Sequence, residues 1–343
     1  MPLQYSGIDD AVIAAQRNLG RGKFTDAASD IQKYVAFKHL MRSAHVQTTE
    51  EYGQSWQVLT EDNDSAAWVG LYNSDDTNVN DGLQKATVDM RHLTGNWSYD
   101  QREIDLNVRN AAARIVSLVK VRRAQCYISQ AKKLEAAFWT LPSASDTVTM
   151  YGVPYYIVRS ADAAGFNGGN PSGYSDCAGI DSDVYTTWKN YTARYVSLTY
   201  TDIVQKLEAA CIKTMWEPPV DINDYNTGNS VGLYTNYDVV EGLIALVRAQ
   251  NDNLGRDLAY SSGKVLFRST PVTYVPYLDS VSTDPVYGIN WGDFKILIDK
   301  KWFLREDPPE KVAGKHTVRS VFVDSTVQLK NTNRRTQFIV DKA

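Results

Sequence analysis

Cysteine is scarce in this sequence, with three residues among 343. They are Cys126, Cys177 and Cys211, odd in number and far apart. A disulfide framework normally uses an even number of cysteines, so this pattern predicts reduced thiols in a cytosolic protein. The four histidines fall in unrelated segments and suggest neither a catalytic triad nor a histidine metal site.

Long apolar runs and an excess of basic residues are missing as well. No apolar stretch approaches the roughly 18 residues that a membrane-spanning helix needs, and the first residues lack a basic segment followed by an apolar one. We therefore expect no membrane partner and no signal peptide. The net charge of −4 argues against a free-standing nucleic-acid binder, but it is compatible with a container whose inner wall tolerates DNA.

Familiar catalytic motifs are also missing: there is no nucleophile elbow, Walker loop, Rossmann glycine pattern or HExxH helix. The acidic stretch 76–82 resembles a calcium loop, but its glycine comes one position late and Thr87 stands where a bidentate glutamate is needed. We expect no enzyme, no cofactor and no metal. Asp181 and Asp183, close to Trp188, form the best carboxylate pair for a carbohydrate-active hydrolase, which is kept as an alternative.

Aromatic residues are abundant, at 11% of the chain with 21 Tyr and 8 Trp. Tyr and Trp bury large areas and keep a polar group, which suits protein–protein surfaces and sugar-binding grooves alike. Hydrophobic residues at 43% and charged residues at 22% are typical of a folded globular chain. A chain of this length forms one large domain or two modest ones.

Five segments differ in pattern. Residues 1–55 hold two short helix-compatible stretches and predict an arm, and residues 56–106 are β-prone around a polar, Asn-rich turn and predict a two-stranded projection. Residues 107–140 contain no glycine or proline and predict one long helix. Residues 141–300 predict a mixed α/β region, and residues 301–343 return to strands.

Periodicity also predicts individual elements. Amphipathic spacing predicts helices at 200–215 and 238–250, and β-prone runs predict strands at 155–158 and 264–267. Near the end, apolar residues within 318–329 and 338–340 mark strands on either side of a polar turn at 331–333.

The last third of the chain contains two long motifs: Thr-Pro-Val-Thr-Tyr-Val-Pro-Tyr-Leu-Asp at 270–279 and Asp-Pro-Val-Tyr-Gly-Ile-Asn-Trp at 284–291. Shorter ones lie at 235–238, 251–255, 316–318 and 332–335. These motifs resemble those of tailed-phage major capsid proteins. The order of the five segments is similar to that family over the whole chain.

The resemblance implies an α+β fold, the tailed-phage major-capsid fold. Its parts are an N-terminal arm (1–55), an extended β-hairpin loop (56–106), a peripheral-domain spine helix (107–140), a central axial domain with peripheral crossovers (141–300) and peripheral return strands (301–343). Hexamers and pentamers would close into an icosahedral shell around double-stranded DNA.

The resemblance also implies partners and a location. The arm is too short to include a cleaved scaffold, so a separate scaffolding protein is expected, with a portal and in some relatives a decoration protein. The protein would be part of the virion and would be assembled in the bacterial host cytoplasm. The alternative within the same fold is the shell of a bacterial compartment that holds protein cargo.

Assembly contacts are expected near the extensions of the chain. Aromatic residues are candidate anchors, with ordinary packing at the loop base as the other interpretation; these are Trp68, Tyr72, Trp97 and Tyr99. Lys85 lies in the predicted loop, where some relatives form a lysine–asparagine cross-link, although no local motif predicts such a bond here. The doublet Arg334-Arg335 suggests an inter-subunit ion pair or a solvated face.

Overall fold

A computed structural model describes residues 34–41, 45–62, 66, 68–69, 82–102, 118–215, 231–249, 258–261, 264–268 and 270–343. The helices are α1 (Val35–Leu40), α2 (Leu118–Phe138), α3 (Val153–Tyr156), α4 (Gln205–Thr214) and α5 (Tyr237–Ala249). A π-helical turn, Tyr200–Val204, leads into α4, and a 3₁₀ turn covers Pro276–Leu278.

Sixteen strands are described, most of them in two sheets. In chain order they are β1 (Val46–Thr49), β2 (Gly53–Leu59), β3 (Leu83–Asp89), β4 (Arg91–Asp100), β5 (Gly165–Gly168), β6 (Asn190–Tyr195), β7 (Val231–Thr235), β8 (Leu258–Ser261), β9 (Lys264–Phe267), β10 (Thr270–Tyr274), β11 (Val286–Asn290), β12 (Phe294–Asp299), β13 (Arg305–Glu306), β14 (Glu310–Lys311), β15 (Val318–Asn331) and β16 (Phe338–Lys342).

The six-stranded sheet is organised around β15, which is 14 residues long. Strand β4 pairs with it antiparallel over ten residue pairs, from Arg91 opposite Val327 to Asp100 opposite Val318. Strand β12 pairs with the last residues of β15, and β1 lies parallel to β12. The short strands β13 and β14 also pair with β15.

Helix α2 packs on one face of this sheet. A Cβ atom on Gly95 of β4 would come within 3.1 Å of the Cys126 sulfur and 3.0 Å of the Gln130 amide, so the strand and the helix are in close contact here. The buried Gln130 amide donates to the backbone oxygen of Val323, 2.6 Å away. This bond satisfies a polar group that would otherwise be costly to bury.

Glu135 joins α1 to α2. Its carboxylate is buried and accepts hydrogen bonds from the backbone N–H groups of Ala36 (3.0 Å) and Phe37 (2.7 Å) and from Trp139 Nε1 (2.9 Å). Burial raises the pKa of Glu135, and these hydrogen bonds oppose the rise. The carboxylate satisfies amides in the first turn of α1, which a local capping residue does in most helices.

The second sheet has eight strands in the order β5-β6-β16-β11-β7-β10-β9-β8. Helices α4 and α5 supply Leu207, Val239 and Leu243 to a core shared with the sheet, in which Phe338 and Val340 of β16 are fully buried. At 25 cal/mol per Å², each buried side chain of this size contributes roughly 1.5–3 kcal/mol.

Several predicted elements are confirmed by these bounds. Helices occupy the predicted ranges 200–215 and 238–250, and β9 covers 264–267. The predicted long helix is present from Leu118, and its predicted first residues lie outside the described part of the chain. The apolar positions of 318–329 belong to one continuous strand.

The predicted strand at 155–158 is wrong. Residues Val153–Tyr156 form one helical turn, with Pro154 in its first positions. Proline at the start of a helix loses no hydrogen bond and already has a helical φ. The aromatic, β-prone residues Tyr155 and Tyr156 are buried by tertiary packing, which overrides their strand preference.

Strand pairing departs from two of the predicted segments. Strand β4 lies within 56–106, yet it belongs to the six-stranded sheet and not to a projecting loop. Among the described strands of that segment, β2 and β3 form a separate hairpin. Strand β16 lies within 301–343, but it pairs with β11 and β6 in the eight-stranded sheet, because the chain crosses between the sheets after β15.

Asp202 provides a pH test of this fold. Partial burial alone would raise the pKa of its carboxyl, but hydrogen bonds from Lys206, Ser197 and Val196 lower it to about 2. Because the folded pKa lies below the ordinary 3.8, the stabilisation is present above pH 4 and is lost as the pH falls through 2. Asp202→Asn should lower the free energy of unfolding by about 1 kcal/mol at pH 7.

Urea denaturation of the unassembled protein at several pH values measures this effect. The difference between wild type and Asp202→Asn should shrink toward pH 2. A difference independent of pH would contradict the assignment. Asp183→Asn, on an exposed loop residue, serves as the matched control.

Candidate assembly surfaces

The hairpin formed by β2 and β3 has two different faces. Trp56, Val58, Ala86 and Val88 point toward the body and join its main hydrophobic cluster. The Lys330 ammonium group of β15 lies 4.8 Å from the centre of the Trp56 ring, a cation–π contact that fastens the hairpin to the six-stranded sheet. The strand period of two therefore leaves the opposite face to solvent.

The loop that precedes β6 also holds the hairpin, along β3 at Thr87 and at the far end at Thr60. The Thr87 N–H donates to Ala178 O at 2.8 Å, and the Thr187 hydroxyl donates to Thr60 O. The far end of the described hairpin is closed by Thr60 N–H to Gly82 O at 2.8 Å. Both strands are thus fixed along their length.

The outer face of the hairpin exposes apolar groups. Leu59 and Leu83 are directly opposite each other across the two strands and are 57% and 46% exposed. Trp68, in the segment that follows, is fully exposed, and Val69 beside it is largely exposed. A single exposed leucine needs no explanation, but apolar groups concentrated on one face of the hairpin indicate a surface that another molecule covers.

Among the sequence-predicted contacts, Trp68 and Lys85 are exposed on or next to this hairpin. Tyr72 lies outside the described residues. Trp97 and Tyr99 are half-buried on β4, with their rings stacked 5.7 Å apart, on the face of the sheet that also carries Gly95. Their position agrees with packing at the base of the loop, the second interpretation of these aromatics.

Arg334 is not an assembly contact, and that prediction is wrong. It lies in the turn between β15 and β16 and is fully buried. Its five N–H donors reach six acceptors, all neutral, so one N–H group of Nη2 is shared between two acceptors. These are Tyr156 O (2.8 Å), Trp188 O (2.7 Å), Gly168 O (3.1 Å), Gly169 O (2.7 Å), Ser182 Oγ (2.9 Å) and Asn190 Oδ1 (3.3 Å).

The geometry of this arginine site explains its burial. Desolvation lowers the pKa of Arg334, but four backbone carbonyl dipoles and two side-chain oxygens replace the lost water. Gly168 makes room for the cluster, since a Cβ atom there would stand 2.0 Å from Asn190 Oδ1. The planar five-donor fork of arginine fits several carbonyls at once, whereas lysine does not.

Arg335, the next residue, is exposed and lies 4.7 Å from the centre of the Phe166 ring. It is compatible with a contact between subunits or with a solvated face. The doublet therefore divides into one buried and one exposed residue, which a single sequence cannot distinguish.

The proposed carboxylate pair of a hydrolase does not have the expected environment. Asp181 accepts a hydrogen bond from Asn170 Nδ2 at 2.7 Å and one from Asp183 N–H at 2.9 Å, and these bonds lower the pKa of Asp181. A general acid needs a raised pKa. Trp188, the neighbouring aromatic, is buried with its indole N–H bound to Cys177 O, so it offers no sugar-stacking surface.

The three cysteines are free thiols, as the sequence predicts. Burial raises the pKa values of Cys177 and Cys211 to about 11, which makes both unreactive at neutral pH.

Within the described residues, no group of three His, Cys, Asp or Glu side chains is placed to hold a metal ion. None of the helices in that part of the chain combines the length and apolar character needed to cross a bilayer.

Comparison with solved structures finds shell proteins. The capsid asymmetric unit of cyanophage A-1(L) has a TM-score of 0.64 at 12% identity, and the alignment covers 94% of this chain and 96% of that chain. The capsid of the native GTA particle has a TM-score of 0.59 at 13% identity, covering 97% and 98%. The chain has the fold of these shell proteins.

The holo-SrpI encapsulin complex from Synechococcus elongatus PCC 7942 is also similar, with a TM-score of 0.51 at 9% identity over 93% of this chain and 92% of that chain. No protein-family model and no curated protein matches the sequence. The predicted tailed-phage capsid fold is therefore confirmed by structure. The low identities show a shared fold and leave individual contacts to be tested.

Sequence reasoning missed two features of the surface and core. Leu83 directly follows the polar turn region and Leu59 lies 14 residues before it, so their spacing in the sequence does not indicate that they pair across a hairpin. The arginine site has no local signature, since its acceptors come from segments about 150 residues distant from Arg334.

Replacing Arg334 tests the importance of its site. Arg334→Met removes all six donated hydrogen bonds and leaves buried carbonyl oxygens unsatisfied, so the free energy of unfolding should fall by roughly 3–5 kcal/mol. Arg335→Met is the matched control and should change it by less than about 0.5 kcal/mol. Urea denaturation of the unassembled protein measures both. Equal effects of the two substitutions would show that Arg334 does not have the role assigned to it.

Proposed function

We propose that this protein is the shell subunit of a phage capsid. It self-assembles as hexamers and pentamers into an icosahedral shell that encloses double-stranded DNA. The observation that carries this proposal is the alignment with phage and GTA capsid chains over nearly the full length of both partners. A fold by itself does not prove a function, so surface features must support it.

The exposed hairpin supports the proposal. Shell subunits need heterologous contacts that close into rings, and an element that projects an apolar outer face provides one side of such a contact. Leu59, Leu83 and Trp68 lie on or next to that element. Burial of these side chains against a neighbouring subunit would remove an exposed apolar surface, which is uncommon on monomeric proteins.

The two sheets correspond to two proposed structural roles. The six-stranded sheet with α2 as its spine helix has the role of the peripheral domain, and the eight-stranded sheet with α4 and α5 has that of the axial domain. The chain passes between them more than once, so neither role matches an uninterrupted residue range. Residues 1–55 would contribute the N-terminal arm, of which β1 pairs with β12 in the six-stranded sheet.

The further partners follow from this role. A separate scaffolding protein and a portal would guide closure of the shell, and a decoration protein could bind its outer surface. The DNA would be enclosed without sequence-specific contacts, in line with the net charge of −4. The protein would be made and assembled in the cytoplasm of a bacterial host and would become part of the virion.

A protein-cargo compartment is the second candidate. The encapsulin complex shares the fold, although its TM-score is lower than those of the cyanophage and GTA capsids. The two candidates differ in content, because a capsid encloses nucleic acid and a compartment encloses protein. Nucleic-acid content of purified particles separates them.

Substitutions on the outer face of the hairpin test its role in assembly directly. Leu59→Gln with Leu83→Gln should leave folding intact, since both side chains are already exposed, but should reduce the yield of closed particles at least tenfold. Val148→Gln, on an apolar residue that is 70% exposed outside the hairpin, is the control. Sedimentation and negative-stain microscopy of protein co-expressed with the neighbouring phage genes provide the measurement. Unchanged particle yield in the double variant would contradict this use of the hairpin.

A further inference from the structure

Two lysines lie directly opposite each other on the sheet face that the hairpin covers. Lys295 of β12 pairs with Lys330 of β15 in the antiparallel register, and Lys330 contacts Trp56 of the hairpin. The Cβ atoms of such a pair are about 4.5–5.5 Å apart, so the two side chains are close neighbours. Like charges directly opposite destabilise a strand pair, and a negative charge beside them removes that cost.

Lys330 is the more deeply buried member of this lysine pair. The residue is 8% exposed, and its ammonium group lies 4.8 Å from the centre of the Trp56 ring. A lysine buried to this extent is normally paired with a carboxylate. Burial and the neighbouring charge of Lys295 both lower the pKa of Lys330, as expected for an ammonium group without a counter-ion.

Among the described residues, no carboxylate forms an ion pair with either lysine. Asp293 is in the same neighbourhood, since burial raises the pKa of its carboxyl and the charge of Lys295 partly opposes that rise. Its oxygens are already engaged, Oδ1 with the Thr332 hydroxyl and Oδ2 with the Thr336 hydroxyl. Asp293 therefore holds the turn after β15 and is not the counter-ion of the pair.

The chemistry of the pair suits a small oxyanion. Lysine ammonium groups donate charge-assisted hydrogen bonds to phosphate and carboxylate oxygens, and these bonds are stronger than those between neutral groups. Lys295 is half-buried, so a small ion reaches the pair from solvent on that side. The hairpin excludes much of the water around Lys330, and in such surroundings the attraction between an anion and an ammonium group is stronger than in bulk water.

We propose that Lys295 and Lys330 together bind one small oxyanion, of the phosphate or carboxylate class, beneath the hairpin. The anion accepts hydrogen bonds from both ammonium groups and removes their mutual repulsion. Because the attraction is strongest where the hairpin excludes water, the anion also stabilises the hairpin in its place on the six-stranded sheet. The inference concerns the folded chain by itself and does not depend on the proposed shell function.

Thermal unfolding with and without inorganic phosphate tests this site. At constant ionic strength and a phosphate concentration ten times its Kd, the Tm of the unassembled wild-type protein should rise by about 2–4 °C. Lys330→Met and Lys295→Met should each lose most of this rise, because each removes one of the two ammonium groups. Lys311→Met, at an exposed lysine of β14, is the matched control and should keep the rise.

The measured quantity is the change in Tm that phosphate causes, and not Tm itself. Lys330→Met also loses the cation–π contact with Trp56, which lowers Tm equally with and without phosphate. Phosphate stabilises many proteins by its exclusion from their surfaces, and the control variant retains that general effect. If Lys330→Met does not fold, Lys295→Met decides. No rise in the wild type, or equal rises in all four proteins, refutes the proposal.

Hydrogen exchange locates the bound anion. Phosphate should slow amide exchange in β2 and β3 of the wild type by about threefold or more, and should leave exchange in Lys330→Met unchanged. Slower exchange confined to the eight-stranded sheet would place the anion elsewhere and contradict the proposal. Acetate distinguishes the sources of the anion. A response to phosphate alone indicates free phosphate, and an equal response to acetate indicates that a carboxylate side chain also fits the site.

Discussion

The buried guanidinium group of Arg334 is the interaction on which the arrangement of the two sheets depends. It lies in the turn where the chain leaves β15 of the six-stranded sheet and enters β16 of the eight-stranded one. Its acceptors belong to α3, to Gly168 at the end of β5 and Gly169 after it, and to the residues that lead into β6. One side chain therefore connects the crossover to three other parts of the structure.

The hydrogen bonds of Arg334 also influence the position of a surface element, the hairpin formed by β2 and β3. The loop between β5 and β6 that Arg334 organises also contains Ala178 and Thr187, which hold the hairpin at Thr87 and at Thr60. A buried network with every donor satisfied specifies one arrangement more strongly than apolar packing does. The position of the hairpin relative to the sheets is thus fixed through hydrogen bonds that begin at a single charged residue. In a shell, such precision matters because each angular error is repeated in every subunit.

The sequence predicts many of the individual helices and strands, but few of the long-range pairings and contacts between them. Helices α2, α4 and α5 follow from uninterrupted apolar periodicity, which is a local property of the chain. Residues 155–158 were predicted as a strand because Tyr and Val favour strands locally, whereas burial and Pro154 place Tyr155 and Tyr156 in a helical turn. The pairing of β4 with β15 joins residues more than 200 positions apart, and alternation alone cannot select that partner.

In the candidate assembly surfaces, too, local features could be predicted from the sequence and features set by tertiary packing could not. Trp68 and Lys85 are exposed, and their role as assembly contacts stays a prediction, which rests on the polar turn between two β-prone stretches. Arg334 and Arg335 look alike in sequence, and only tertiary packing separates a core residue from a surface residue. The exposed leucine pair needs the strand register, which places Leu59 opposite Leu83.

Electron cryomicroscopy of particles formed by this protein with its neighbouring phage genes tests the central claim most directly. The account predicts closed icosahedral shells in which the hairpin of each subunit lies on an adjacent subunit and covers Leu59 and Leu83. Shells with these leucines exposed to solvent, or a protein that stays at 38.4 kDa under the same conditions, would contradict it.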